Sequence, residues 1–469
     1  DSNNAMAGAV SITHTGAADV AIDNHTTALI LGTVSTGRNF EARSGNGITD
    51  TAGVITVAGT GTFISDVDDK DIVLDSDNAI TGALTFTTQG SSNLSDITFD
   101  NGSTAISLAA FTTEGDLTLK TDAAIALTGH TVNGDLSVTS AGNISQSAAL
   151  TVSGTSSFTS TGSDNTIILS TDSNALSGVV SASTVGSSGN ITIDNGTTAL
   201  ILGTVTANGA LSIRGGNGIT DNGVITVTGT SLFHSDVTAK AITLDSNNAM
   251  AGAVSITHTG AADVAIDNHT TALILGTVST GRNFEARSGN GITDTAGVIT
   301  VAGTGTFISD VDDKDIVLDS DNAITGALTF TTQGSSNLSD ITFDNGSTAI
   351  SLAAFTTEGD LTLKTDAAIA LSGHTVNGDL SVTSAGAISQ SAALTVTGTS
   401  SFTSTGSNNN ITLSTDSNDL RGVVSASTVG SSGDIAIDNG TTALILGTVT
   451  ADRAGSIRGG NGRTESAGN

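Results

Sequence analysis

Along this chain apolar residues recur two apart, with Ser or Thr between them and a Gly just ahead. Gly82-Ala-Leu-Thr-Phe86, Gly115-Asp-Leu-Thr-Leu119, Gly134-Asp-Leu-Ser-Val138, Gly189-Asn-Ile-Thr-Ile193 and Gly209-Ala-Leu-Ser-Ile213 all follow the phrase. Alternation over so few positions predicts β-strands with one face buried and the other in water. Each run lasts three to five residues before Gly, Asn or Asp intervenes. Those residues make turns, because Gly takes positive φ freely and Asn and Asp hydrogen-bond their own backbone. Helical periodicity is absent throughout.

The pattern is also repeated on a larger scale. Residues 1–127 recur without a change as residues 245–371, a period of 244. The match continues to the C-terminus with scattered substitutions, among them Thr128 to Ser372, Asn143 to Ala387 and Ser153 to Thr397. The chain therefore divides into a first copy, 1–244, and an incomplete second copy, 245–469, expected to continue the first. Near the end Arg421, Arg453 and Arg463 stand where the first copy has Ser177, Gly209 and Ile219. A finer period lies inside: Asp-Asn-His/Gly-Ser/Thr begins at Asp23, Asp100, Asp194, Asp267, Asp344 and Asp438. Nested repeats of this kind mean a solenoid or an array rather than a set of globular domains. The chain opens on Asp1 rather than Met, which reads as an internal piece of a longer protein or a processed product.

Two all-β folds compete, tandem sandwiches and a parallel β-helix. Sandwiches use longer strands and bulky aromatic cores; here aromatics are 3% and all of them Phe. A β-helix stacks small aliphatic side chains in columns, and its strands pair along the whole axis, where Pro would remove a ladder hydrogen bond. There is no Pro in 469 residues. The strict hexapeptide period of a left-handed helix is missing. The reading is thus all-β: a right-handed parallel β-helix, a β-solenoid with roughly 20 residues per rung, about 23 rungs and a length on the order of 110 Å.

Charge narrows the partners. Forty-five acidic against 14 basic residues give a net charge of -31, which argues against nucleic acid and against anionic membrane surfaces. No apolar run approaches the roughly 20 residues of a membrane span. With no Cys, disulfides, zinc-thiolate sites and cysteine nucleophiles are excluded.

Several residues invite a chemical reading. Asp66, Asp68, Asp69 and Asp71, copied as Asp310, Asp312, Asp313 and Asp315, crowd oxygen ligands on one turn and are calcium candidates. Their spacing is not that of an EF-hand, so a solvated acidic turn is the competing reading and the preferred one. Gly215-Gly-Asn-Gly-Ile-Thr-Asp221 is superficially like a calcium nonapeptide, with its Asp one place late. The six Asp-Asn turns could be catalytic acids of a β-helical glycan enzyme, but a turn used six times is what a scaffold needs. His14, His25, His130, His234, His258, His269 and His374 show no metal spacing and are expected at surfaces or turns. Thr85-Phe-Thr87 raises ice binding, which needs unbroken Thr ranks that Asp, Lys120 and Gly interrupt. No catalytic residue and no cofactor is assigned, calcium aside.

Gly134-Asp-Leu-Ser-Val138, together with Ala141–Thr155 and its second copy Ala385–Thr399, resembles the repeat regions of large bacterial exoproteins. These are the filamentous-haemagglutinin-like adhesins and the giant β-strand-repeat surface proteins, and the resemblance covers nearly the whole chain. It implies a right-handed β-helix, export to the cell surface and a role in attachment. No family binding residue carries over, because these repeat regions share no site motif. The expectation is an extracellular structural and adhesive rod, not an enzyme, which meets a host or neighbouring-cell surface or other copies of itself end to end. A β-helical carbohydrate-active enzyme and a self-assembling matrix fibre are the alternatives.

Overall fold

A two-apart apolar pattern leaves each strand with one dry face, and such strands must stack to bury it. The computed structural model describes residues 4–51, 53–90, 94–236, 239–258, 260–334, 338–460 and 463–465. Parallel strands wind into a β-solenoid of about 21 residues per turn, with no helix among the described residues. The chain forms two compact units, Asp1–Val237 and Thr238–Asn469.

In the first unit the rungs are three-sided where the phrase is most regular. The first side carries Ile97–Asp100, Leu117–Thr121, Leu136–Ser140 and Ser156–Ser163. The second carries Ile106–Ser107, Ile125–Thr128, Ile144–Ala148 and Ile167–Leu169. The third is only two residues wide: Thr112–Thr113, Thr131–Val132, Thr151–Val152 and Ala175–Leu176. Successive strands pair in parallel and in register, Leu117 on Leu136, Leu136 on Ser156, Ser156 on Val180. Each inward residue therefore sits on its equivalent one rung away. Ile125, Ile144, Ile167 and Ile191 form one such column, all but dry. In the second unit Ile369, Ile388, Ile411 and Ile435 repeat it.

The interior is not purely aliphatic, as the sequence suggested. Eleven of the 13 Phe are among the largest fully buried side chains. In the first unit Phe40, Phe63 and Phe86 follow one another at centroid distances of 6.1 and 5.6 Å, and Phe86 meets Phe99 at 5.5 Å and Phe111 at 5.6 Å. Phe284, Phe307, Phe330, Phe343 and Phe355 repeat the stack in the second unit. Room for the rings comes from Gly61 and Gly305: a Cβ on Gly61 would stand 3.1 Å from Ile80, Leu84 and Phe63. Offset and edge-on ring pairs add to plain area burial.

The second unit differs at its end. In the first unit Leu200–Ala207 is covered by parallel Ile219–Asp221 and Ile225–Val227. In the second, Arg463–Glu465 turns back antiparallel on Gly455–Gly459. The side chain of Arg463, which stands in the place of Ile219, lies outside the described residues.

Candidate functional site

The six Asp-Asn turns share one geometry. Each Asp accepts a hydrogen bond from the N–H two residues on: His25 at 2.8 Å, Gly102 at 2.9, Gly196 at 2.8, His269 at 2.7, Gly346 at 2.9 and Gly440 at 2.9. Those six residues all have positive φ, between 43° and 58°. Gly adopts that conformation freely, while His25 and His269 hold it at some strain.

The Asn that follows is fully buried in all six turns and ties one rung to the one before it. Asn101 Oδ1 accepts from the Ile80 N–H at 2.9 Å, and its Nδ2 donates to the Ile80 carbonyl at 3.0 Å and to its own turn at Ala105, 3.1 Å. Asn195 does the same for Leu176, Asn268 for Met250, Asn345 for Ile324 and Asn439 for Leu420. A buried amide with every donor and acceptor used stabilises; a half-used one would cost.

Five of the six turn Asp have a second partner, a cation within 4 Å. In register on the next rung lie Arg43, Lys120, Arg214, Arg287, Lys364 and Arg458, each beside its Asp. Lys120 reaches Asp100 at 2.5 Å and Arg214 reaches Asp194 at 3.2 Å. The Asp100 carboxylate lifts the Lys120 ammonium above its ordinary range. Several of the scarce cations thus stand beside the largely buried carboxylates of these turns, Asp100, Asp194 and Asp344.

Two of these arginines also bear on the calcium candidates. Arg43 binds Asp66 and Arg287 binds Asp310, both at 2.6 Å. Asp71 Oδ1 accepts the Asp96 N–H at 3.0 Å, and Asp315 that of Asp340 at 2.9 Å. Asp69 and Asp313 sit at φ 60° and 61° and donate backbone N–H to Ser95 and Ser339. Asp312 Oδ1 takes the Asp313 N–H at 2.9 Å. The Asp68 carboxylate fills the space that a Cβ on Gly90 would need. Among the described residues no three of His, Cys, Asp or Glu gather as a metal-holding group.

Asp71 and Asp315 begin a feature that sequence reasoning missed. Asp71 caps the Asp96 N–H, Asp96 the Asp116 N–H at 2.8 Å, Asp116 the Asp135 N–H at 2.7 Å, and Asp135 the Thr155 N–H at 2.6 Å. Asp315, Asp340, Asp360 and Asp379 repeat the chain of caps. Burial, and then the facing carboxylates of Asp116 and Asp71, push Asp96 above the usual range of an aspartate. The signal was present: the residue between Gly and the strand in Gly115-Asp and Gly134-Asp is the capping acid.

A second buried carboxylate stands in line with the Asn clamps. Asp50 accepts from Asn78 Nδ2 at 2.7 Å and from the Asp75 N–H at 3.1 Å, and burial raises its pKa; Asp294 repeats it with Asn322 and Asp319.

The histidines divide. His25 and His269 lie exposed at turns, as expected, whereas His130, His258 and His374 are buried. His130 packs on Phe111 at 4.6 Å, its Nε2 accepts the Thr128 N–H at 3.0 Å, and burial lowers its pKa to about 4. His374 repeats this. Two of the three late arginines arrive with a new acid. Arg421 binds Asp419, which replaces Ala175, and Arg453 lies 3.6 Å from Asp434, which replaces Asn190. Thr85 and Thr87 lie opposite Thr62 and Ile64, so that outward rank is broken. In the second unit Asn247, Asp267, His269, Arg287, Asp310 and Val311 help to line a shallow groove of about 480 Å³.

Five stretches of the chain, 17–87, 114–183, 188–257, 261–331 and 358–427, match the family described as repeats of unknown function (DUF5649). They span well over half of its length, and the chain belongs to that family. No curated protein and no solved structure matches it. The turns at Asp23, Asp194 and Asp267 fall inside matched stretches, while those at Asp100, Asp344 and Asp438 fall between or after them. What the family and the fold define together is a repeat-rich β-solenoid protein.

Proposed function

We propose that this chain is a structural and adhesive segment of a long extracellular bacterial surface protein or filament, and that it performs no enzymatic step. One observation carries the reading. Six fully buried asparagines, one in each Asp-Asn turn, join rung to rung by the same bonds. Side chains fully engaged in that way resist separation of the rungs, and exact duplication adds length where it would add nothing to a catalytic centre. The excess of carboxylates keeps the outer surface hydrated and opposes lateral association. The partner in this reading is the surface of a host or neighbouring cell, with the resemblance to surface adhesins as support.

The test is antibody labelling of the 244-residue unit on intact source cells, viewed by electron microscopy. Label along fibres leaving the cell surface is the expected result. Label confined to the medium, with no fibres, would overturn it and turn the search to depolymerisation of glycans.

A further inference from the structure

Asn-Gly is the dipeptide whose asparagine loses ammonia most readily, because the unhindered Gly nitrogen can attack the side-chain carbonyl. Twelve such pairs occur in this sequence, one of them, Asn461-Gly462, outside the described residues. The fold sorts the other eleven by two criteria: whether the Asn amide is free, and whether the Gly N–H is already bonded.

Four pairs are locked on both counts. Asn101, Asn195, Asn345 and Asn439 are the clamp residues, fully buried with their amides engaged. The N–H of the Gly that follows each is held by the preceding Asp at 2.8 to 2.9 Å. At Asn133, Asn208 and Asn377 the Asn amide donates to Glu114, Thr184 and Glu358. There the Gly N–H is bonded to the rung before it. Asn217 is half-buried, and Gly218 donates to Gly215 at 3.3 Å.

Three pairs differ. Asn46, Asn222 and Asn290 are exposed, and no backbone acceptor of the described residues takes the N–H of Gly47, Gly223 or Gly291. We propose that Asn46, Asn222 and Asn290 are sites of spontaneous deamidation, and that the rung-to-rung clamp shields the chemically identical pairs at Asn101, Asn195, Asn345 and Asn439. In the step, the Gly nitrogen gives its proton to water and bonds to the Asn side-chain carbon. The carbon–nitrogen bond of the amide breaks, its nitrogen takes that proton back from water, and ammonia leaves. Water then opens the succinimide at either carbonyl, leaving aspartate or isoaspartate and one more negative charge. The isoaspartate product lengthens the backbone of the turn that feeds strand Ile48–Thr49 or Ile292–Thr293, so ageing enters the solenoid at that turn of each copy.

The test is incubation of the full chain at mildly alkaline pH, followed by peptide mass mapping and isoaspartyl-methyltransferase labelling. Conversion at Asn46, Asn222 and Asn290 is expected to outrun the four clamp sites by about tenfold or more, since the latter react only from opened rungs. In concentrated urea all should converge on one rate. Equal rates in the folded chain would overturn the proposal, and so would silence at the three exposed sites when urea makes them react. Asp100→Ala frees the Gly102 N–H and should speed Asn101 alone, with untouched Asn345 in the same molecule as the control. If Asn345 accelerates too, the variant has unfolded, and the wild-type comparison between folded and urea-treated chain decides.

Discussion

Val20–Asn24 and Val264–Asn268 are the same five residues in the same local sequence, yet they are not in the same environment. In the second unit Val264–Asp267 lies between Ile242–Leu244 on one side and Phe284–Arg287 on the other, and Val264 and Ile266 are 1% and 2% exposed. In the first unit Val20–Asp23 has Phe40–Arg43 on one side only among the described residues, and Val20 and Ile22 are partly exposed. The clamp shows the same contrast. Asn24 holds Met6 at 2.8 and 3.1 Å, and Asn268 holds Met250 at 2.8 and 3.0 Å. Met6 is partly exposed, whereas Met250 is buried. A rung's dryness is thus a property of the two rungs that flank it, not of its own residues.

The comparison can be broken first at the clamp. Asn268→Ala strands the Met250 N–H, the Met250 carbonyl and the Ala272 carbonyl, and should cost about 4 kcal/mol of local stability. Asn24→Ala should cost about half as much, because water can reach Met6. Hydrogen exchange is the suitable readout, since repeat arrays open in parts; equal losses would show that flanking rungs do not set the cost. Next, Ile266→Ala should lose about 3 kcal/mol by the same readout, and Ile22→Ala about 1 kcal/mol.

Titration tests a pair that the comparison says should match. His130 and His374 lie in like surroundings, and burial holds each at a pKa of about 4 against an ordinary 6.5. Below 6.5 the unfolded chain binds more protons than the folded one. Stability therefore falls as pH drops through this window, by on the order of 3 kcal/mol per histidine once pH is below both values. His130→Phe with His374→Phe should flatten that slope in acid unfolding curves. Asp50 and Asp294 act the other way: burial raises them, so their protonation favours the fold as pH falls through their folded range. The smallest effect belongs to the outer cations. Lys120→Met should cost about 0.5 to 1 kcal/mol, because Lys120 is half in water and Asp100 keeps its bond from Gly102. A much larger loss would mean that the pair, not the turn, holds Asp100 in place.

Much of this architecture was legible in the chain itself. The two-apart pattern of Gly115-Asp-Leu-Thr-Leu119 foretold the strand Leu117–Thr121 and its buried face, and the Asp-Asn-Gly phrase foretold a turn with positive φ at Gly102. The candidate site was legible in part. Asp100 was visible as a turn residue, but Asn101, which carries the inter-rung bonds, was hidden behind it. His130 and His374 read as surface residues because nothing local places Phe111 or Phe355 beside them.

What the sequence by itself determined is local: strand, turn, which side chains face inward, and the repeat that makes a solenoid of them. These follow from alternation and from φ preferences acting within a few residues. Only the tertiary structure decided which residues meet. The ladder steps from Leu117 to Leu136, from Leu136 to Ser156 and from Ser156 to Val180 are 19, 20 and 24 residues long. Turns absorb the difference without changing the strand pattern, so no fixed spacing marks the partner. Register is set instead by stacking columns of Ile, Leu and Phe, and it is this stacking that brings Asp71 under the Asp96 N–H and closes Asn101 on Ile80.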